Sequence, residues 1–154
     1  MTEQLSPLAL QALAVVKESG AIIGANHAHP HTIRHKGRID LVTETDIAVE
    51  AFLKERLATL APQAGFLAEE SAEDLSLPDT CWIIDPVDGT TNFAHGLPLT
   101  VTSVAYRLNG EIVLGIVNAP LLRECFIAEK GKGAWRNGER ISVSSVTACE
   151  NALV

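Results

Sequence analysis

Apolar positions recur first at helical spacing and later at strand spacing. Leu8, Ala12, Val15, Val16, Ser19, Ile22 and Ile23 follow Ser6-Pro7, a serine cap with a first-turn proline. They predict a helix running to about residue 25. A polar stretch, 26–38, reads as a loop. Thr43 or Thr45 can cap a second helix, with Asp46 and Glu50 toward its positive end. Val49, Phe52, Leu53, Leu57 and Leu60 form its apolar stripe, and Ala61-Pro62 ends it.

The period then changes. Gly65-Phe66-Leu67-Ala68 reads as a short strand entering Glu69-Glu70-Ser71. Trp82, Ile83 and Ile84 have the composition of a buried strand. Asp85-Pro86-Val87-Asp88-Gly89 should stop it, because proline cannot donate to a ladder and Asp-Gly is turn chemistry. Strand-like runs at 100–108 and 111–117 flank Asn109-Gly110, a strong hairpin signal. Another β run spans 123–129, and Asn137-Gly138 offers a second tight turn before Ile141-Ser142-Val143. Two helices followed by an antiparallel meander predict an α+β fold, helices on one face of the sheet. Asn151-Ala152-Leu153-Val154 reads as the opening of a buried strand, so a truncated chain is expected.

Composition narrows the classes. The chain has 154 residues, 47% hydrophobic and 20% charged, which suits one globular domain. No apolar stretch is read as a membrane span, and the N-terminus lacks the basic-then-apolar layout of a signal peptide. A cytoplasmic protein with no membrane partner is therefore expected. A net charge of −7 argues against a nucleic-acid partner. Any phosphate must be bound locally, through metal ions and backbone amides. Cys81, Cys125 and Cys149 are odd in number with no CxxC, and read as reduced, buried thiols.

The chemistry lies in acidic clusters at element ends. Asp85 and Asp88, three apart after a buried strand, need something positive between them, most simply a divalent cation. Oxygen-only ligands favour Mg²⁺, Mn²⁺ or Ca²⁺. Taken singly, Asp46 could be a first-turn helix charge, Glu69-Glu70 a solvated loop and Asp85/Asp88 a turn closure. Together they describe an acidic pocket for more than one Mg²⁺. Backbone N–H groups at Gly89 and Thr90 can form an anion nest. Metals plus a nest describe phosphoryl chemistry, with Thr90 orienting a water and Asp46 taking its proton.

Four segments, KGRIDLVTETD (36–46), GFLAEES (65–71), WIIDPVDGTTNF (82–93) and GKGAW followed by NG (131–138), resemble the inositol monophosphatase family. These are metal-dependent, lithium-sensitive phosphatases. The resemblance implies the N-terminal half of a layered α-β-α-β-α sugar-phosphatase fold. Residues 1–154 would form its metal-binding α+β domain, with the C-terminal α/β domain absent. It implies that Glu69, Asp85 and the Val87 carbonyl hold a first Mg²⁺ and that Asp88 joins Asp85 on a second. A third would be placed by Glu69 through water. Asp46 and Thr90 match the water-activating pair, with Glu70 close by, and Glu69 and Val87–Thr90 would meet the substrate phosphate. The expected substrate is a small phosphate ester such as inositol monophosphate, and the expected assembly a homodimer. One departure matters. The family's further metal-binding aspartate sits in a Trp-Asp motif, whereas Trp82 is followed here by Ile83 and Trp135 by Arg136. Weak or no activity of the isolated chain is the consequence.

Two rivals remain in view. Haloacid dehalogenase-type phosphatases also end a strand in aspartates, but two apart, with the first a covalent nucleophile. A non-catalytic, metal-binding half-domain is the other. The histidines at 27, 29, 31 and 35 lack partners at fixed spacing and read as a solvated loop. Cys125 reads as a buried thiol and Lys36 as a solvated or phosphate-approaching lysine.

Overall fold

The computed structural model describes residues 5–27, 33–35, 41–70 and 77–151. The expectations for Lys36, Ser71, the histidines at 29 and 31, and residues 152–154 lie outside these.

Helix α1 (Pro7–Asn26) starts at its cap, the Ser6 hydroxyl accepting the Ala9 N–H at 3.2 Å. Its buried side includes Ala9, Ala12, Val15, Val16 and Ile23, packed on the second helix and on the sheet. With a mean hydropathy of 1.4 over 18 residues, α1 is long and apolar enough to cross a bilayer. That corrects the view that no stretch approaches a span. In this fold the apolar side instead lines the core.

Within the segment read as loop, β1 (Ile33–His35) pairs antiparallel with β2 (Leu41–Thr43). Helix α2 (Glu44–Leu60) follows Thr43 directly, and Val49, Leu53 and Leu57 are fully buried. The main sheet has seven strands in sequence order: β3 (Gly65–Ala68), β4 (Cys81–Asp88), β5 (Val101–Leu108), β6 (Glu111–Ala119), β7 (Glu124–Glu129), β8 (Gly133–Arg136) and β9 (Glu139–Ile141). Only β3 and β4 are parallel; all later pairs are antiparallel. α2 packs on β4, and α1 on β5, β6 and β7. Alternation puts Trp82, Ile84, Val104, Tyr106, Leu114, Ile116 and Ile127 into the core. Trp82 and Tyr106 are cross-strand partners with rings 4.5 Å apart.

Both predicted turns form. Asn109 and Gly110 have φ of 51° and 84°, and Asn137 and Gly138 have 50° and 86°. Two successive positive φ values give the twist that a two-residue hairpin needs. β5 starts one residue later and β6 ends two residues later than expected, and four further boundaries differ. β4 does not stop at Ile84 but runs through Pro86 to Asp88. β9 occupies 139–141, leaving Val143 exposed. β7 starts one residue later, because Arg123 takes a left-handed φ of 57° after the 3₁₀ turn Pro120–Leu122. Asn151 closes a second 3₁₀ turn, Cys149–Asn151, instead of opening a strand. Cys81 and Cys125 are free and buried, and burial raises both thiol pKa values. Cys149 is free but exposed, which corrects the expectation of three buried thiols.

Candidate active site

The parallel β3–β4 pair builds one corner. Ala68 stands opposite Ile84, so the next residue, Glu69, comes beside Asp85 at the carboxyl ends of both strands. The Glu69 N–H donates to the Ile84 carbonyl at 3.2 Å. Beyond Asp85 the pairing slips: Asp85 opposes Ser103, and Asp88 opposes Val101. Pro86 and Val87 thus share the single partner position of Thr102, a β-bulge. A bulge is where a strand tolerates proline, since one residue there needs no ladder bond. The Thr102 hydroxyl donates to the Pro86 carbonyl at 2.9 Å and secures it. The bulge also has a chemical consequence. Ser103 and Val101 lie two apart on one face of β5, so their partners Asp85 and Asp88 share a face despite being three apart. In a regular strand a three-residue spacing would put the two side chains on opposite faces, and the extra residue of the bulge cancels that.

Gly89 makes the turn that follows. Its φ is 91°, and a Cβ there would sit 2.7 Å from the Leu99 carbonyl oxygen. Only glycine fits both demands. Helix α3 (Thr90–Ala94) begins at once, with the Phe93 N–H bonded to the Gly89 carbonyl at 3.0 Å. Its first N–H groups have no acceptor within the helix.

The second corner joins α2 to α3. The Thr90 hydroxyl lies 3.1 Å from Asp46 Oδ1 and 2.9 Å from the Val87 carbonyl, and its single proton can serve one of them at a time. Asp46 is only 1% exposed, in the first turn of α2. The adjoining Thr45 is buried and accepts from the Asn26 side-chain amide at 3.1 Å. His27 follows at the end of α1, its ring 5.8 Å from that of Phe93 and its Nε2 buried. Packing against α3 corrects the reading of His27 as part of a solvated loop.

Electrostatics separate the corners. Burial pushes Asp85 up to about 7, reinforced by the charge of Glu69, a hydrogen bond shared with its carboxyl, and the charges of Asp88 and Asp46. Asp85 Oδ1 is buried with no hydrogen-bond partner among the described residues. Glu69 and Asp88 reach solvent. Among the described residues, no three His, Cys, Asp or Glu side chains already form a metal cage. An all-oxygen donor set, a carboxyl held up near 7 and an orphaned buried oxygen fit a hard divalent ion.

Of the predicted residues, the fold brings Asp46 to Thr90, Glu69 to Asp85, and Asp88 to the face of Asp85. Val87 is buried through its side chain and offers only its carbonyl. Glu70 engages through its main chain: its N–H donates to Glu50 Oε2 at 2.8 Å. Glu50 was read only as a helix charge, yet it is 5% exposed. Its place one turn after Asp46 was the available signal.

An α+β domain whose acidic residues gather where two parallel strands end their pairing, beside a glycine turn into a short helix, offers a candidate metal and anion site. Known proteins narrow the class. The inositol monophosphatase family model matches residues 4–154. An inositol monophosphatase of Dictyostelium discoideum is 46% identical over 147 residues, covering 93% of this chain and 54% of the relative. The extragenic suppressor protein suhB of Bartonella henselae has a similar structure, with a TM-score of 0.85 at 33% identity, covering 92% of this chain and 56% of that one. An IMPase/NADP phosphatase complexed with Mg²⁺ and phosphate aligns with a TM-score of 0.73 at 28% identity, covering 82% and 49%. The chain belongs to the inositol monophosphatase family. It spans about half the length of the curated relatives it matches.

Proposed function

We propose that this chain carries the metal- and phosphate-binding half of a Mg²⁺-dependent phosphate monoester hydrolase acting on a small ester such as inositol monophosphate. The observation that carries the reading is the Asp85 carboxyl, held up near 7 by burial, Glu69, Asp88 and Asp46, with a buried Oδ1 that has no hydrogen-bond partner among the described residues. Family membership and a relative complexed with Mg²⁺ and phosphate support it. Glu69, Asp85, the Val87 carbonyl and Asp88 would hold two or three ions. Bound Mg²⁺ supplies neutralisation of phosphate oxygens and a more acidic attacking water.

The chain's own residues do the rest. Thr90 Oγ1 accepts a hydrogen bond from the water while donating its own proton to Asp46 Oδ1, and Asp46 receives the proton as the P–O bond to water forms. Glu70 stands by as a second carboxylate. The N–H groups of Gly89 and Thr90 meet the phosphate oxygens. The P–O bond to the alcohol breaks, the departing oxygen takes a proton from solvent, Asp46 returns its proton to solvent, and inorganic phosphate is released. The residues 1–154 act as the N-terminal domain, in a cytoplasmic homodimer, without nucleic acid or membrane as partner. Lithium inhibits by the same resemblance.

The test is phosphate release from a panel of esters, inositol monophosphate and NADP included, with Mg²⁺ and with or without Li⁺. Turnover of the 154-residue chain should fall far below that of a full-length relative, because the Trp-Asp aspartate is absent. Whatever turnover remains should vanish with chelator and in Asp85→Asn. Turnover that survives both refutes the metal-assisted reading. An acyl-phosphate trapped by borohydride at Asp85 would instead revive the haloacid dehalogenase-type mechanism.

A further inference from the structure

Helix α2 faces the site twice. Its first turn offers Asp46 to Thr90, and one turn later Glu50 points its carboxylate at the segment leaving β3. Glu50 is 5% exposed, and burial of a carboxylate is costly unless its oxygens are matched. Here both oxygens are engaged. Oε2 accepts the Glu70 N–H at 2.8 Å, and Oε1 lies 3.8 Å from the Lys54 ammonium, one turn further along the same helix. Lys54 in turn stands 6.0 Å above the Phe66 ring of β3. The Glu69 N–H is fixed separately, on the Ile84 carbonyl of β4. Two consecutive main-chain groups are thus held from opposite sides, one by the sheet and one by the helix.

We infer that Glu50 is a positioning residue: its buried carboxylate, clamped on the Glu70 N–H, fixes the main chain that aims the Glu69 side chain at Asp85. The inference rests on the reading of Glu69 as a metal ligand and deepens it. A backbone N–H bonded to a carboxylate is among the stronger and shorter hydrogen bonds a loop can make. It adds a hold from the helix side to the one that β4 supplies at Glu69. The clamp also couples the two halves of the site, since Asp46 and Glu50 ride on one rigid helix. Movement of α2 would displace the water-activating pair and the metal corner together. A purely structural Glu50 would support the fold and leave ion affinity alone, which gives the two roles different signatures.

The test is Tb³⁺ binding to the full chain, followed by luminescence and by Mg²⁺ competition, with thermal melting as the control for folding. Glu50→Ala should weaken Tb³⁺ binding about tenfold, the usual scale for losing an outer support of a ligand. Glu50→Gln keeps an oxygen acceptor for the Glu70 N–H and should stay within about threefold of wild type. Wild-type affinity in folded Glu50→Ala overturns the inference, and so does Glu50→Gln as weak as Glu50→Ala. Glu69→Gln separates the premises: if the wild type binds Tb³⁺ and Glu69→Gln binds it equally, the ligand reading of Glu69 fails. Amide exchange in the metal-free wild type tests the clamp without any substitution. The Glu70 amide should exchange slowly. Exchange as fast as at an open loop position overturns the clamp, even if Glu50→Ala does not fold.

Discussion

The two corners of the site are built on opposite principles. At the Asp46–Thr90 corner the partners are already in place: a buried carboxylate, a hydroxyl at 3.1 Å, and flanking bonds from Asn26 and the Val87 carbonyl. At the Glu69–Asp85–Asp88 corner the fold gathers like charges, and burial with their repulsion pushes the Asp85 carboxyl up to about 7. The first corner is preorganised by the protein, and under the proposed function the second is completed by a cation.

Several changes would break or sharpen this contrast. The largest effect is expected from Asp85→Asn. Divalent-ion affinity should fall on the order of 100-fold, equivalent to about 2.7 kcal/mol, while the metal-free chain melts no lower than wild type. Calorimetric titration and melting check both halves; a metal-free chain clearly destabilised by the substitution would contradict the idea of stored repulsion. Next comes Gly89→Ala, where a left-handed φ of 91° and a 2.7 Å approach to Leu99 coincide. Strain of this kind costs about 1–3 kcal/mol, and denaturant unfolding should register it.

The pH dependence is a subtler effect, and its sign follows from Asp85. Its folded pKa, about 7, lies above the ordinary aspartate value of 3.8, so the folded chain binds the proton more tightly than the unfolded one. Below pH 4 this contribution is fully present. It is lost as pH rises toward and through 7. Melting temperatures of the metal-free chain should therefore drift down across that window, less so in Asp85→Asn, and saturating Mg²⁺ should remove the drift. The smallest effect is expected at the preorganised corner: Thr90→Val should cost about 1 kcal/mol in stability and leave ion affinity within about threefold. A large loss of ion affinity there would mean the corners are not separable.

Much of this was legible in the sequence, for identifiable reasons. Ser6-Pro7, Asn109-Gly110 and Asn137-Gly138 carry local chemistry that fixes their own backbone, and each forms as expected. The acidic residues were legible because carboxylates at strand ends are expensive without a purpose. What escaped notice depends on pairing between distant segments. Pro86 reads as a strand stop, yet register against β5 turns it into a bulge that puts Asp85 and Asp88 on one face. The β1–β2 pairing lies in a stretch with no apolar alternation to announce it. Glu50 meets a main-chain N–H twenty residues on, and no residue type at position 70 advertises that. Cys149 is exposed because the chain there forms a 3₁₀ turn off the sheet.

The most direct test of the central claim is inorganic phosphate binding to the whole chain, by isothermal titration at pH 8, with and without Mg²⁺. The account predicts that Mg²⁺ binds the wild type, that phosphate binds only when Mg²⁺ is present, and that Asp85→Asn loses both. Phosphate binding that is indifferent to Mg²⁺, or Mg²⁺ binding unchanged in Asp85→Asn, would contradict it.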